Sequence, residues 1–569
     1  MSKPDARELI TAQLESSGVP LEHSTQALRE AEAWLDKPGL DDPALIDLEH
    51  LPFVTVDNDG SRDLDQALLV TAEKQGWTIQ YALADAAYYI RPESALWEEA
   101  LARGASLYAP DRALAMLPVV LSEGLVSLNP GVTRRAVIID ISVATDGSIT
   151  RSHFLRARIR SRLQLTYAGV QRVVDGDAEL DDARAPNPLS LAVATDESVA
   201  IIESLRQLKR AGLALESAQR RRGVTPFDRT ESEIGVQGEP PMFDIEPRER
   251  LGSERWNEQL SLACNMQGAA LLVALESDDP SLEPVFRVHD APGSGRLQDL
   301  EHTLKALNDH LSLQGAWQRD RKVEPSIAAW FGALPEGAPR LKRAIQRQIL
   351  RAQSASVYEE AAGRHHALAA DSYARFSSPM REIVGIHTHL VALDALGLQS
   401  SKAARSAELR DAVIESAQNA RTRQKTLDRG ILFEVIAELF ETDLARDNTP
   451  WRDGTLLGID KHKLHIGLDG LALDIKIYRD DLQALTQQDW VFDGVTAVPD
   501  GENPEPFVLG DGVRIQAAQY DAERRRFVFN IKALGNRPGL RVKRRTANRD
   551  KKHSGSGSRV RRERRARRG

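Results

Sequence analysis

The stretch Phe53–Val70 reads FVTVDNDGSRDLDQALLV. An apolar entry, Phe53, Val54 and Val56, runs into a polar knot and leaves through Ala67, Leu68, Leu69 and Val70. The knot holds four aspartates within nine residues: Asp57, Asp59, Asp63 and Asp65. Carboxylates this close repel one another unless positive charge sits between them. A divalent cation is the usual occupant, because hard cations take oxygen ligands. If the Arg62–Gln66 end is extended, Asp63 and Asp65 share one side, since strand side chains alternate with period two. Gly60 and Ser61 supply a bend that brings Asp57 back over them. A solvated acidic turn fits the same residues. An EF-hand calcium loop does not: that pattern needs glycine at its sixth position, where Arg62 stands.

Around this stretch lies an ordinary globular composition. The 569 residues are 41% hydrophobic and 28% charged, too long for one core, so two to four domains are expected. The single cysteine, Cys264, allows no internal disulfide and suits a reducing cytoplasm. No apolar run approaches a membrane span, and the N-terminal MSKPDARELI lacks the apolar core of a signal peptide. The net charge of −8 hides an asymmetry. From Gly535 to Gly569 there are fifteen Lys and Arg against two acids, a net of +13, which leaves the body with 60 basic and 81 acidic residues, a net of −21. A basic tail on an acidic body suits a polyanion partner, or serves solubility alone.

In chain order, residues 1–50 read as short helices ending at Gly or Pro-Gly. From Leu51 strands take over. Trp77–Ile90 is strand-like, Ser94–Ser106 helical, and AVIIDISVATDGSITRSHFLRARIR a hairpin turning at Asp146–Gly147. Helices follow over Asp196–Arg221, over Glu254–Leu275 and around Leu300, Leu304, Leu307 and Leu311. Residues 51–445 show no linker and read as one large α+β domain. Residues 446–534 are short alternating strands, expected to close a five-stranded OB-type barrel, with Lys461, His462, Lys463 and His465 as charge for single-stranded nucleic acid. Residues 535–569 are expected to be disordered.

The opening stretch resembles the signature of the ribonuclease II and ribonuclease R family, the RNB-domain exoribonucleases. That signature runs T-[IV]-D-D-x-x-S-x-D-x-D-D-A-L, against TVDNDGSRDLDQAL here. Further blocks resemble the family in the same order: ALADAAYYI to LYAPDRALAMLP, LSEGLVSLNPG, SRLQLTYAGV, WNEQLSLACN, FRVHDAP and RFSSPMREIVGIHTHL. The resemblance implies processive 3′→5′ hydrolysis of single-stranded RNA to nucleoside 5′-monophosphates with Mg²⁺, or Mn²⁺, by a monomer in the cytoplasm. By position it implies Asp57, Asp63, Asp65 and Gln66 around the metal, with cleavage depending most on Asp65. It implies Arg381 on the scissile phosphate, and Tyr108 and Phe227 stacked on RNA bases. His365 and His366 match a Gly-rich family segment and read as structural. Cys264 reads as a small buried apolar residue.

The sequence also departs from the family pattern. Gln66 stands where a fourth aspartate belongs, and a carboxamide brings no charge. Asn58 replaces another aspartate, with Asp59 as an extra carboxylate nearby. Glu382, Ile383 and Gly385 replace a basic or aromatic pair and an aspartate, and Gln259 replaces a glutamate. Residues 1–50 stand in place of the family's cold-shock barrels. Two functions follow: a metal-dependent exoribonuclease with an altered site, or an RNB-fold RNA-binding protein impaired in cleavage.

Overall fold

The computed structural model describes residues 4–186, 193–224, 227, 231–319, 326–471, 473–501 and 505–534. The basic tail lies outside the described residues.

A seven-stranded sheet forms the centre. In chain order its strands are β1 (Ile46–Asp47), β2 (Val54–Asp57), β3 (Gln66–Glu73), β4 (Gly76–Ala84), β5 (Thr133–Ala144), β6 (Ile149–Arg160) and β7 (Leu163–Thr166). Their spatial order is β1-β6-β5-β4-β3-β2-β7. The central pairs are antiparallel, and the two edge pairs, β1–β6 and β2–β7, are parallel. Six helices pack around the sheets: α1 (Ala95–Arg103), α2 (Thr195–Arg221), α3 (Gly252–Asp278), α4 (Pro339–Ala352), α5 (Ile383–Ala395) and α6 (Ala407–Leu444).

Period two divides the strands between two cores. Leu68, Val70, Ile79, Tyr81 and Leu83 face α2 and α3, which add Leu205, Leu208, Trp256, Leu260 and Cys264. Ala67, Leu69, Ala82 and Ala84 face α1 and α5, which add Leu96, Trp97, Ile386 and Leu390. A sheet covered on both faces needs strands that are nearly all apolar. That explains the continuous run entering and leaving the acidic stretch. By length and composition α3 could cross a bilayer. Here Trp256, Leu260, Ala263 and Leu272 are buried in the core.

The C-terminal strands are β8 (Arg452–Ile459), β9 (Lys463–Leu468), β10 (Asp474–Tyr478), β11 (Gly512–Asp521) and β12 (Arg526–Ala533). They form an OB-like antiparallel sheet, ordered β10-β9-β8-β11-β12. The five expected strands are present, but among the described residues the sheet does not close, since β10 and β12 are not hydrogen-bonded to each other. Side chains span the gap. Arg526 lies 3.9 Å over the Tyr478 ring and pairs with Asp480 at 3.0 Å and Asp481 at 2.6 Å.

Helix α4 covers part of this sheet. Its arginines recur at three- and four-residue spacing along one face. Arg340 pairs with Asp469 at 2.6 Å, Arg351 with Asp460 at 2.8 Å, and Arg347 with Asp474. This corrects the expectation that His465 offers charge to a nucleic-acid groove. His465 is buried beneath α4, with Nε2 at 2.9 Å from Asp460 and Nδ1 at 3.1 Å from Arg347.

Candidate active site

The four-aspartate loop leaves β2 at Asp57 and rejoins the sheet at Gln66. Gly60 turns the chain with φ +78°, which a side chain would strain. Backbone anchors hold the rest. Ser127 Oγ accepts from Leu64 N–H at 3.0 Å and donates to the Arg62 carbonyl at 2.9 Å. Ala84 N–H donates to the Asp65 carbonyl at 2.9 Å. Asp57, Asp63 and Asp65 therefore converge, as the bend at Gly60 suggests.

They converge on Arg381. Its Nη2 donates to Asp57 Oδ2 at 3.1 Å and to the Asp63 carbonyl at 3.0 Å. Its Nε lies 2.9 Å from Asp63 Oδ2 and 3.0 Å from Asp65 Oδ2. The Asp65 Oδ2 and Arg381 Nε atoms are buried and at ion-pair distance, yet neither makes a hydrogen bond. Burial pushes the Asp65 carboxyl up to about 6 against the pull of Arg381, and Asp57 and Asp63 add to the rise. Burial likewise raises Asp63. Burial works against the Arg381 charge as well, but Asp65, Tyr108, Asp63 and Asp57 outweigh it and hold the guanidinium protonated.

The loop carrying Arg381 is pinned from α3. Asn265 is fully buried and uses its amide on both sides. Its Oδ1 accepts from Phe376 N–H at 2.8 Å and Ser377 N–H at 2.9 Å, while Nδ2 donates to Ser377 Oγ at 2.8 Å and Tyr373 Oη at 2.9 Å. One turn on, Gly268 lets the Phe376 ring approach; a Cβ there would sit 2.2 Å from it. The loop then passes Ser378 at φ +79°, a conformation disfavoured for residues other than glycine. Ser106 N–H donates to the Arg381 carbonyl at 2.9 Å, which ties the loop to the segment leading into Tyr108. Sequence reasoning passed over Asn265, although it closes the quoted block WNEQLSLACN.

In front of Arg381 lies a cavity of about 600 Å³, lined by Tyr108, Arg287, Tyr373, Arg375, Arg381 and Arg421 among others. Tyr108, on this lining, is 45% exposed as a residue. Glu382 is the one acid in the lining, and it is committed. Arg375 pairs with it at 2.7 Å, and Tyr358 Oη donates to it at 2.7 Å. Burial would raise the Glu382 pKa, but Arg375 outweighs it and holds the carboxyl low. The departure from the family pattern at Glu382 thus serves to hold an arginine in the cleft wall.

Two expected residues are not brought into this site. Gln66 belongs to β3 and faces the same way as Leu68, and its Oε1 accepts from the Tyr81 hydroxyl and not from the Arg381 cluster. Phe227 packs against Phe331, with centroids 5.5 Å apart, in a separate apolar cluster beside α4. An unconstrained ring settles in the nearest apolar surface. The His365 and His366 rings lie tilted beside His289, with centroids at 5.1 and 6.2 Å. Among the described residues no three His, Cys, Asp or Glu form a ready metal site; the Arg381 guanidinium occupies the centre of the carboxylates. The donor set itself suits a hard divalent ion: three carboxylates, with one buried oxygen lacking a hydrogen bond.

Two buried histidines lie under the site loop. His389 Nε2–H donates to the Phe376 carbonyl at 3.0 Å, and His387 Nε2–H to the Glu283 carbonyl at 2.8 Å. Burial lowers each to about 4. The unfolded chain takes up these protons first, so their contribution to stability is lost as pH falls from about 6.5 toward 4. A double variant, His387→Gln with His389→Gln, is expected to show a flatter fall in urea midpoint between pH 7.5 and pH 5 than the parent.

The RNB domain family profile matches residues 45–396. The chain belongs to the RNB-domain family. The matched span holds the sheet, the acidic loop and the cleft residues up to Arg381; Arg421 and the C-terminal sheet lie beyond it. Ribonuclease R of Vibrio parahaemolyticus is 32% identical over 346 residues, which is 60% of this chain and 38% of that protein. The chain therefore spans well under half the length of that relative. Mycoplasma genitalium RNase R, solved in complex with ribose methylated single-stranded RNA, has a TM-score of 0.78 at 20% identity, covering 93% of this chain and 78% of its own. Yeast Ssd1, a pseudonuclease, has a TM-score of 0.56 at 11% identity, covering 88% and 54%. These likenesses establish the shared fold.

Proposed function

We propose that the protein is a 3′→5′ exoribonuclease that hydrolyses single-stranded RNA to nucleoside 5′-monophosphates, with Mg²⁺ or Mn²⁺ held by Asp57, Asp63 and Asp65. The observation that carries this reading is the convergence of those three carboxylates on Arg381 at one wall of an arginine-lined cleft. When bound, the ion supplies Lewis acidity toward a phosphate oxygen and a water of lowered pKa. The chain supplies the rest. Arg381 Nη1 has no partner among the described residues, which leaves donors for a phosphate oxygen in a charge-assisted bond. Tyr108 offers a ring face to a base without reading its identity. Arg287, Arg375 and Arg421 carry positive charge along the wall, which suits a polyanion and not a neutral ligand.

The test is incubation of the protein with a 5′-labelled oligoribonucleotide and Mg²⁺ or Mn²⁺. A ladder shortening from the 3′ end, absent in Asp65→Asn, is expected. Tight, salt-dependent binding with no product in either metal would favour the second reading, an impaired RNA-binding protein. One observation favours that reading: Gln66 has no charge, and its carbonyl oxygen is committed to Tyr81.

A further inference from the structure

Away from Arg381, the wall of the cleft carries more positive charge than its one acid, Glu382, answers. Arg381 is matched by Asp57, Asp63 and Asp65, and Arg375 by Glu382. Arg287 and Arg421 line the same cavity within reach of the Glu382 charge, but among the described residues neither makes a direct ion pair with a carboxylate. Both are fixed instead by neutral groups on one short segment. Arg287 Nε donates to Ser356 Oγ at 3.2 Å and its Nη1 to Tyr358 Oη at 2.9 Å. Arg421 Nη1 donates to the Ser356 carbonyl at 2.6 Å. Burial weakens the Arg421 cation, repulsion from Arg287 weakens it further, and Glu382 offsets only part of the loss. Two neighbouring cations that share one carboxylate already paired with Arg375 favour a further anion between them.

We propose that Arg287 and Arg421 form a phosphomonoester subsite, separate from the carboxylates around Arg381. A phosphodiester carries one negative charge, whereas a monoester carries nearly two at neutral pH. Two guanidiniums without a direct ion pair match the second, and their planar forks suit phosphate oxygens. The cavity of about 600 Å³ has room for one nucleotide, with the Tyr108 ring on its wall. Two sources carry this chemistry: a nucleoside 5′-monophosphate, or an RNA chain ending in a 3′-phosphate. Assigning the first as the reaction product rests on the hydrolysis proposed above; the subsite itself does not.

The experiment is calorimetric titration of the full chain in EDTA with AMP, its monoanionic 5′-methyl ester, adenosine, and a trinucleotide ending in 3′-phosphate or 3′-hydroxyl. A monoester is expected to bind about tenfold or more tightly than its monoanionic or uncharged counterpart, the scale of one charge-assisted hydrogen bond. A preference for AMP over its methyl ester marks the mononucleotide as the source; a preference for the 3′-phosphate end marks the chain terminus. Arg287→Gln and Arg421→Gln should each remove most of that preference, with Arg421→Lys restoring part of it. Equal affinity for AMP and its methyl ester together with equal affinity for the two trinucleotides would overturn the proposal without relying on any variant. So would a preference unchanged in both arginine variants. The same titration with Asp65→Asn separates the two readings. Absent hydrolysis with intact AMP binding removes only the enzyme, and hydrolysis without monoester preference removes only the subsite.

Discussion

Asp65→Asn is expected to abolish production of the RNA ladder and, in metal-free buffer, to make the protein harder to unfold. The two effects share one cause. Asp65 is 5% exposed, and burial holds its carboxyl up to about 6 even beside Arg381. An unfolded aspartate sits near 4. Above pH 6 the folded chain must carry an ionised carboxylate in a place that disfavours it. The cost is absent below the unfolded pKa, and it grows as pH rises through the folded one. At pH 7.5 the burden is at most about 3 kcal/mol, and asparagine removes it. Arg381 keeps Asp57 at 3.1 Å and Asp63 at 2.9 Å, so the variant does not leave the guanidinium alone. Hydrolysis should fall by roughly 10²–10³ or more, the scale for losing one preorganised group at a reacting centre. Urea unfolding in EDTA at pH 7.5 and pH 4.5 checks the stability half. The gain should be largest at the higher pH and reduced to about a third at the lower. A variant less stable than the parent at pH 7.5 would show that Asp65 belongs to the scaffold and not to a strained functional centre.

Much of this centre was legible because its acids lie in one stretch. Asp57, Asp63 and Asp65 announce themselves by mutual repulsion, and Gly60 by the turn it permits. The hairpin over β5 and β6 was legible too, because two long apolar runs flank Asp146–Gly147. Arg381 lies 316 residues beyond Asp65, and only a family resemblance links them before folding does. Arg287 and Arg421 left no local trace, since a lone arginine in a strand or helix reads as a solvated side chain. Their meaning comes from what is missing at their guanidiniums, a direct ion pair, and that is a tertiary fact. Gln66 is different: its phase was available. It stands two residues before the core residue Leu68 and one after Asp65, so period two already turns it from the other acids. The family pattern drew it into the metal set, and the pleat takes it out. Phe227 follows a helix end with no strong periodicity, so nothing local fixes which surface its ring covers.

The second large effect is expected at Asp85, in the quoted block ALADAAYYI, where Asp85→Asn should cost about 3–5 kcal/mol. Asp85 is fully buried just after β4. Its Oδ2 accepts from Arg135 Nε at 3.1 Å and Arg156 Nε at 2.6 Å, and its Oδ1 from Arg156 Nη2 at 2.8 Å. These arginines belong to β5 and β6, so one carboxylate joins three strands. Both pack over the Tyr88 ring, at 3.6 and 5.4 Å from its centroid. Burial would raise the Asp85 pKa, but Arg156 outweighs it and holds the carboxyl low. Its contribution is therefore present at neutral pH and lost only in strong acid. Asparagine keeps the shape and removes the charge. Arg135 retains Asp42 at 3.0 Å, whereas Arg156 is left without an ion pair among the described residues. The penalty is then chiefly an orphaned buried cation, which a second substitution can isolate. Asp85→Asn with Arg156→Met should be more stable than Asp85→Asn alone. A single-variant cost below about 1 kcal/mol would mean the ion pairs contribute no more than an exposed pair. The neighbouring Ala84 N–H fixes the Asp65 carbonyl, so this hub stands one residue from the backbone that sets the acidic loop. Its loss should lower RNA hydrolysis at temperatures well below the variant's melting point, where a purely global defect would leave the rate unchanged.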